Sequence, residues 1–271
     1  MSQQVREGAD AEEKFVEEMN RNKGDPRWKT LGFDDASSYY VVRVSTKKDS
    51  KIHDEKVACK SDAFVAKSEK AVEKFDLDEG DLEEYGLESV EGTGISIKKE
   101  VLKAKQWQKL AIDPFTKLFV NAELGAGISL YERKGANHDN IRESLECNRT
   151  IVEKWCGSVK AFEEFYCSMP GITKLDTAKL LDGEEDDQTR VEIAIKIGGV
   201  ADARMKDMIN SDDVLAKKIF WGVGVFEEPF CASWVFEDGE LKKTEGYIPE
   251  YYITTGNSRM KNFNISIKES K

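Results

Sequence analysis

Apolar residues recur along the chain with two different periods, which predict where helices and strands form. Phe15, Val16 and Met19 fall on one stripe at the helical period. This spacing predicts a helix over residues 9–22. Glu12 lies inside the same stripe, where a carboxylate is costly to desolvate unless it pairs or binds a metal. Glu12 is therefore either a residue that reaches solvent at the helix start or a functional residue.

β-Branched and aromatic residues indicate a sheet after this helix. The segments YYVVRVS (39–45) and KVACKSDAFVA (56–66) predict two extended stretches that form a hairpin. The acidic segment 73–91 predicts a loop with short helical pieces, and ISIK (95–98) predicts a strand that returns into the sheet.

The rest of the chain mixes both patterns. Helical spacing predicts helices in five segments, which are 101–111, 140–156, 159–169, 201–209 and 213–220. Strands are predicted at 223–226, 231–238, 250–256 and 263–268. Alternation in RVEIAIKI (190–197) predicts a further strand, in which Glu192 and Lys196 share a face about 13 Å apart, too far to share one metal.

No internal repeat or proline-rich linker divides the chain. The pattern therefore predicts one α/β domain over residues 1–271. We expect a catalytic core over residues 9–135 and a helical and β-rich recognition part over residues 136–271.

Composition excludes several classes of protein. A net charge of −11 argues against a protein that coats nucleic acid by bulk charge, so phosphate binding must be local. The sequence has no apolar run of membrane-spanning length and no signal region at its start, which predicts a cytoplasmic protein without a membrane partner. Five cysteines without a C-x-x-C pair do not predict a zinc site.

Two of the predicted strands carry polar residues that can do chemistry together. Asp62 lies in the strand before the acidic segment and Lys98 ends the strand after it, so pairing of these strands brings both to one sheet edge. Taken alone, Asp62 is typical of a turn or cap, and Lys98 of a strand exit that reaches solvent.

The set of residues resembles a known family. K-S-D-A-F-V (60–65) and then G-I-S-I-K-K (94–99), after a helix that carries Glu12, resemble the PD-(D/E)XK nuclease superfamily. Within that superfamily the chain is similar to type II restriction endonucleases that cut short palindromes. The resemblance implies a central mixed β-sheet flanked by helices, with an added β-rich C-terminal part.

The resemblance also implies a metal-dependent phosphodiesterase site at Asp62, Ser96 and Lys98. Mg²⁺ would be held by Asp62, the backbone carbonyl of Ile97 and water, with Lys98 orienting the attacking water. Ser96 stands where the superfamily usually has an acid. The metal is left with fewer protein charges, a shortfall that one further carboxylate can make up: Glu12, Glu91 or Glu100.

Two segments are candidates for DNA contact. The basic stretch after the site offers phosphate contacts from Lys99, Lys103, Lys105 and Gln106, although a solvated helix face explains the same pattern. The C-terminal run YYITTGNSRMKNFNISIK is similar to the base-reading segment of tetranucleotide-cutting enzymes. Its candidate residues are Thr255, Asn257, Ser258, Arg259 and Lys261, and an exposed hairpin tip is the alternative.

The sequence thus predicts a Mg²⁺-dependent, site-specific endonuclease with double-stranded DNA as its partner. Reading a palindrome favours a homodimer but does not require one. One alternative is a structure-specific or repair nuclease of the same fold. Another is a non-catalytic protein whose acidic segment 73–91 engages a basic partner.

Overall fold

The computed structural model describes residues 3–98, 106–131, 148–181, 187–255 and 263–270. Over these residues the protein is α/β, with a mixed central sheet flanked by helices, as predicted. The chain forms two compact units. The first comprises Met1–Lys103 and Ala216–Pro249, and the second comprises Ala104–Leu215 and Glu250–Lys271. The single nuclease domain with a boundary near residue 135 stays a prediction.

Helices and strands are numbered here in chain order over the described residues. The helices are α1 (Gln3–Arg21), α2 (Pro26–Thr30), α3 (Leu82–Tyr85), α4 (Ile112–Phe119), α5 (Ala122–Tyr131), α6 (Asn148–Cys156), α7 (Val159–Cys167), α8 (Lys174–Leu181), α9 (Asp187–Ser211) and α10 (Asp213–Trp221). The strands are β1 (Tyr39–Arg43), β2 (Lys48–Asp49), β3 (Lys56–Val57), β4 (Ala63–Lys67), β5 (Glu88–Ser89), β6 (Ile95–Ile97), β7 (Gln106–Ala111), β8 (Trp234–Glu237), β9 (Glu240–Lys243), β10 (Tyr251–Thr255) and β11 (Asn264–Glu269).

The first unit is built on the central sheet, whose strand order is β1-β4-β6-β8-β9 with β5 paired to the far part of β4. The pairs β1–β4, β4–β6 and β8–β9 are antiparallel, whereas β6 and β8 are parallel. The predicted hairpin is confirmed by the β1–β4 pairing. The short ribbon of β2 and β3 lies between its two arms in sequence.

Both faces of this sheet are covered by apolar side chains. The stripe predicted on α1 packs against one face, where it meets Val41, Val65 and Ile95, among others. The opposite face is covered by a second cluster, made of Tyr40, Val42, Phe64, Ala66, Leu77 and Leu87. Successive strand residues therefore alternate between two buried surfaces. The predicted helix stripe and the first strands are confirmed.

The second unit combines helices with a three-stranded antiparallel sheet of order β10-β11-β7. Helix α5 lies at its centre, where Gly125 leaves room for the ring of Trp155 and Gly127 leaves room for Tyr166. Over the described part of the chain, no helix has both the length and the apolar character needed to cross a membrane.

The helix predicted over residues 101–111 is wrong where the structure describes it, because Gln106–Ala111 is strand β7. Trp107 and Leu110 are both buried, and their spacing of three is typical of a helix. The spacing arises from a bulge, since Ile267 pairs with Gln108 and the next residue, Lys268, pairs with Gln106. The extra residue, Trp107, shifts the alternation of the strand by one position.

The strand predicted over residues 190–197 is also wrong, because this segment lies inside the 25-residue helix α9. Glu192 and Lys196 therefore do not face each other on a strand. Glu192 accepts a hydrogen bond from Gln188, and Lys196 pairs with Asp176 at 3.1 Å. The predicted helix 201–209 is the continuation of α9. The predicted strand 223–226 is a turn that contains one isolated bridge, between Val223 and Phe226.

Candidate active site

Asp62 and Ser96 are brought together by the register of β4 and β6. Ala63 lies opposite Ile95, and the backbone N–H of Asp62 donates to the carbonyl of Ile95 at 2.8 Å. On the other side, the N–H of Val44 donates to the carbonyl of Asp62 at 2.9 Å. Asp62 is therefore fixed by backbone bonds to both neighbouring chain segments, at the end of the sheet where β4 begins.

The side chains of Asp62, Ser96 and Lys98 share one face of the sheet. Ile95 and Ile97 pack on the face covered by α1, so the alternating positions 96 and 98 lie on the other face. Phe64 belongs to the cluster on that second face, and Asp62 precedes it by two residues. The juxtaposition expected from the sequence is thus present in the fold.

The carboxylate of Asp62 lies against β6. Its Oδ2 accepts a hydrogen bond from the backbone N–H of Ile97 at 2.7 Å and one from the hydroxyl of Ser96 at 3.4 Å. The N–H and C=O of one strand residue point to the same neighbour. The carbonyl of Ile97, the expected second metal ligand, therefore lies on the same edge of β6 as this carboxylate.

Burial and charge act in opposite directions on Asp62. Burial raises the pKa of its carboxyl, while the charge of Lys98 and the hydrogen bonds from Ile97 and Ser96 lower it. The charge of Lys98 is the largest of these opposing effects, which places the ammonium group of Lys98 close enough to stabilise the ionised carboxylate.

Lys60 joins this group, although sequence reasoning did not select it. Burial is the main cause that lowers its pKa to about 7, the charge of Lys98 lowers it further, and Asp62 and Cys59 act in the opposite direction. The position of Lys60, two residues before Asp62, was the one signal available in the sequence. The segment that covers Lys60 comes from residues 222–231, far away along the chain.

The other candidate carboxylates are less well placed than Asp62 to bind a metal ion at this site. Glu12 is half-buried on α1, which packs on the sheet face opposite to the side chain of Asp62. Glu91 is exposed in the turn before β6. Glu100 lies outside the described residues. Among the residues that the structure describes, no group of three or more His, Cys, Asp or Glu side chains could hold a metal ion.

Cys59 lies near the site but is not suited to bind a metal. Burial raises the pKa of its thiol, and Sγ donates to the carbonyl of Ser61 at 3.1 Å. The group is therefore a neutral thiol at physiological pH, whereas metal ligation and nucleophilic attack both require the thiolate.

Most of the predicted DNA contacts fall outside the described residues: Lys99, Lys103, Lys105, Asn257, Ser258, Arg259 and Lys261. The two that are described belong to the second unit. Gln106 is exposed at the start of β7, and Thr255 is half-buried at the end of β10, opposite Ile265 of β11.

No protein-family model matches the sequence, and no curated protein sequence matches it significantly.

Proposed function

We propose that this protein is a Mg²⁺-dependent, sequence-specific endonuclease that hydrolyses phosphodiester bonds of double-stranded DNA, with a restriction-endonuclease-like fold in its first unit. The observation that carries the proposal is the arrangement on β4 and β6. A carboxylate held by the N–H of Ile97 and the hydroxyl of Ser96 shares one sheet face with Lys98. A half-buried acid beside a lysine is a combination that phosphodiester hydrolysis can use.

The oxygen donors of the site fit a magnesium ion that binds the protein through only a few ligands. Mg²⁺ usually keeps several waters and takes one or two carboxylates together with substrate phosphates. Asp62 supplies one carboxylate, and the carbonyl of Ile97 lies on the same edge of β6. When bound there, the ion would neutralise phosphate charge and lower the pKa of the attacking water.

The side chains of the site have separate roles in this proposal. Asp62 supplies the oxygen ligand: burial raises the pKa of its carboxyl, and Lys98 and the bonds to β6 act against that rise and favour the ionised form. Lys98 orients the attacking water and stabilises the negative charge that develops on the phosphate oxygens. Ser96 holds the carboxylate in position and is a positioning residue rather than a ligand.

The acidic segment 73–91 offers less support for a protein that engages a basic partner. Three of its carboxylates make contacts within the fold. Asp81 pairs with Lys74 at 2.8 Å, Asp78 accepts from the N–H of Gly80, and Glu79 accepts from Thr46 and Lys48. These groups stabilise the loop that leads to β5, which explains part of the acidity without a partner.

Digestion of unmethylated phage DNA tests the proposal. The purified protein is expected to cut it into discrete bands with Mg²⁺ and to leave it intact with EDTA. Asp62→Asn should reduce the cleavage rate by about 1,000-fold, because the ligand charge is lost while the amide oxygen can still accept from Ile97.

The matched control is Asp34→Asn, which removes an exposed carboxylate of the same unit and should cut like the wild type. A smear or nicks at junctions would favour the structure-specific nuclease instead. Equal cleavage by the Asp62→Asn and wild-type proteins would refute the proposed site, and intact DNA under every condition would refute the activity.

A further inference from the structure

We propose that Gly94 is a positioning residue of the candidate site: it lets the chain segment 229–234 approach the sheet, and this segment holds Asp62 in place against β6. Gly94 lies directly before β6 and has no side chain that could take part in a reaction. It therefore acts through its neighbours. The consequence for catalysis rests on the proposed function, whereas the contacts that support the inference are backbone contacts.

The backbone of segment 229–234 lies closer to Gly94 than any side chain would allow. A Cβ at position 94 would overlap the backbone carbonyl oxygens of Cys231 and Pro229. Both obstacles are backbone atoms, so turning a side chain cannot relieve the overlap. Any residue other than glycine must therefore displace the segment or β6.

The same segment is bonded to the chain that leads into Asp62. The carbonyl of Phe230 accepts hydrogen bonds from the N–H groups of Lys60 and Ser61, at 3.2 Å each. Asp62 follows these two residues directly, so the position of segment 229–234 fixes where Asp62 begins β4.

On the other side, the segment is bonded to the start of β6. The carbonyl of Gly94 accepts from the N–H groups of Ser233 and Trp234, at 2.8 and 2.9 Å. These bonds begin the parallel pairing of β6 and β8, in which Ile95 lies opposite Trp234. Segment 229–234 thus holds both strands that carry the site.

The contacts of Asp62 with β6 depend on this spacing. The N–H of Asp62 donates to the carbonyl of Ile95 at 2.8 Å, and Oδ2 accepts from the N–H of Ile97 at 2.7 Å. A displacement of about 1 Å would carry such a bond beyond hydrogen-bond distance. Ligation of Mg²⁺ is stricter still, because the ion requires oxygen ligands at about 2.0–2.1 Å in near-octahedral geometry.

The test compares Gly94→Ala with two control variants of the same unit. Gly92 lies in the turn that leads to β6 and has a φ of 69°, but nothing lies within 4 Å of a Cβ there. Gly92→Ala therefore strains the turn without touching segment 229–234. Val16→Ala opens a cavity in the cluster between α1 and the sheet, and so destabilises the unit without touching the turn.

Amide hydrogen exchange, followed by NMR in EDTA, measures the contact between Asp62 and β6 without any need for activity. Protection of the Ile97 amide is compared with that of the Val41 amide, which donates to Asn20 at 2.8 Å in the same sheet. In Gly94→Ala, the ratio of the two should fall about 10-fold, as expected for loss of one hydrogen bond. Global destabilisation exposes both amides alike, so the two controls should keep the wild-type ratio.

A second variant loosens the segment without a steric clash. Sγ of the buried Cys231 donates to the carbonyl of Phe226 at 3.2 Å, which fixes the segment from behind. Cys231→Ala removes this weak bond and should lower the ratio of Ile97 to Val41 protection by about 3-fold. This variant provides the test if Gly94→Ala does not fold.

Cleavage of DNA measures the consequence for the proposed reaction. With Mg²⁺, Gly94→Ala should lower kcat by about 100-fold and leave KM for DNA near the wild-type value, because the reacting groups are misplaced while the DNA contacts remain. Gly92→Ala and Val16→Ala should cut like the wild type at temperatures where they are folded. A raised KM with an unchanged kcat would refute a positioning role.

The outcomes separate the two proposals. If Asp62→Asn abolishes cleavage while Gly94→Ala cuts like the wild type, the role of Gly94 is refuted and the nuclease stands. If the protection ratio falls in Gly94→Ala but the wild type cuts no DNA, the nuclease is refuted and the hold of Gly94 on the contact between Asp62 and β6 stands. A wild-type ratio in both Gly94→Ala and Cys231→Ala refutes the positioning role in either case.

Discussion

The two units bury ionisable side chains in opposite ways. In the first unit, Asp62 and Lys98 lie half-buried on one sheet face, where burial raises the pKa of Asp62 and the charge of Lys98 lowers it. In the second unit, burial raises the pKa of Tyr166 well above its usual value and that of Cys156 to about 12. Both of these groups stay protonated and neutral at physiological pH, so their burial places no charge in the interior. The first unit thus places partly buried charged groups next to each other at the candidate site.

The units also differ in what fixes their interiors. Asn20 in the first unit bonds both the N–H and the carbonyl of Val41, at 2.8 Å each, so a side chain completes the edge strand β1. In the second unit, Gly125 and Gly127 of α5 let aromatic rings approach the helix backbone. Directional bonds set the geometry around the site, whereas close packing sets the geometry of the helical interior.

The largest effect is expected from Gly127→Ala. An added Cβ would overlap the hydroxyl of Tyr166 and lie 2.9 Å from Cβ of Ala201, so the helices must move apart. We expect the free energy of unfolding to fall by about 3 kcal/mol, because overpacking a dense interior destabilises the folded protein. Urea unfolding followed by tryptophan fluorescence measures this change.

Gly199→Ala is the matched control, because it makes the same change in a helix where nothing lies within 4 Å of the added Cβ. It should raise the free energy of unfolding by about 0.5–1 kcal/mol through helix propensity alone. If both substitutions change stability alike, close packing does not distinguish the interior of the second unit.

The arrangement on β4 and β6 could be predicted from the sequence because the two strands are neighbours in the sheet and flank one acidic loop. The spacing of two residues gives Ser96 and Lys98 a common face, and the register of β4 and β6 places Asp62 on the same face. Lys60 could not be selected in this way. Its burial depends on Gly222 and Phe230, which lie about 160 residues away and carry no pattern of their own.

The two wrong secondary-structure predictions have different causes. The segment 190–197 was too short to show the helical period, and β7 contains a local irregularity. In α9 the isoleucines at 193, 195 and 197 alternate like a strand, yet Ile195 is 39% exposed. The buried positions continue at intervals of four through Ala201, Met205 and Ile209, which only a longer window detects. In β7, the bulge at Trp107 cannot be seen before its partner strand β11 is known.

A smaller effect is expected from Lys23, a charged group of the first unit that lies away from the site. Its ammonium group donates to the carbonyl of Tyr39 and lies 3.8 Å from the ring centroid of Tyr40. Burial lowers the pKa of Lys23 to about 8. Between about pH 8 and its unfolded value near 10.4, the unfolded chain binds more protons, so stability rises with pH in this window.

Lys23→Met should remove this rise, which we expect to amount to about 2 kcal/mol after solvent screening at a partly exposed position. Urea midpoints at pH 7, 8, 9 and 10 for the two proteins provide the measurement. Parallel pH profiles for variant and wild type would show that the desolvated ammonium group of Lys23 does not destabilise the folded protein. That result would weaken the contrast between the units.

The smallest effect, from Tyr166→Phe, tests whether the second unit depends on packing rather than on hydrogen bonds. The hydroxyl of Tyr166 donates to the carbonyl of Glu123 at 2.8 Å, and its removal should cost about 1 kcal/mol in the free energy of unfolding. The same hydroxyl is the nearest obstacle to a Cβ on Gly127. In a double-mutant cycle, Tyr166→Phe should therefore recover part of the loss caused by Gly127→Ala, because residues in contact are not additive. Additive losses would mean that the overlap lies with Ala201 and the ring carbon, and that the hydroxyl contributes only its hydrogen bond.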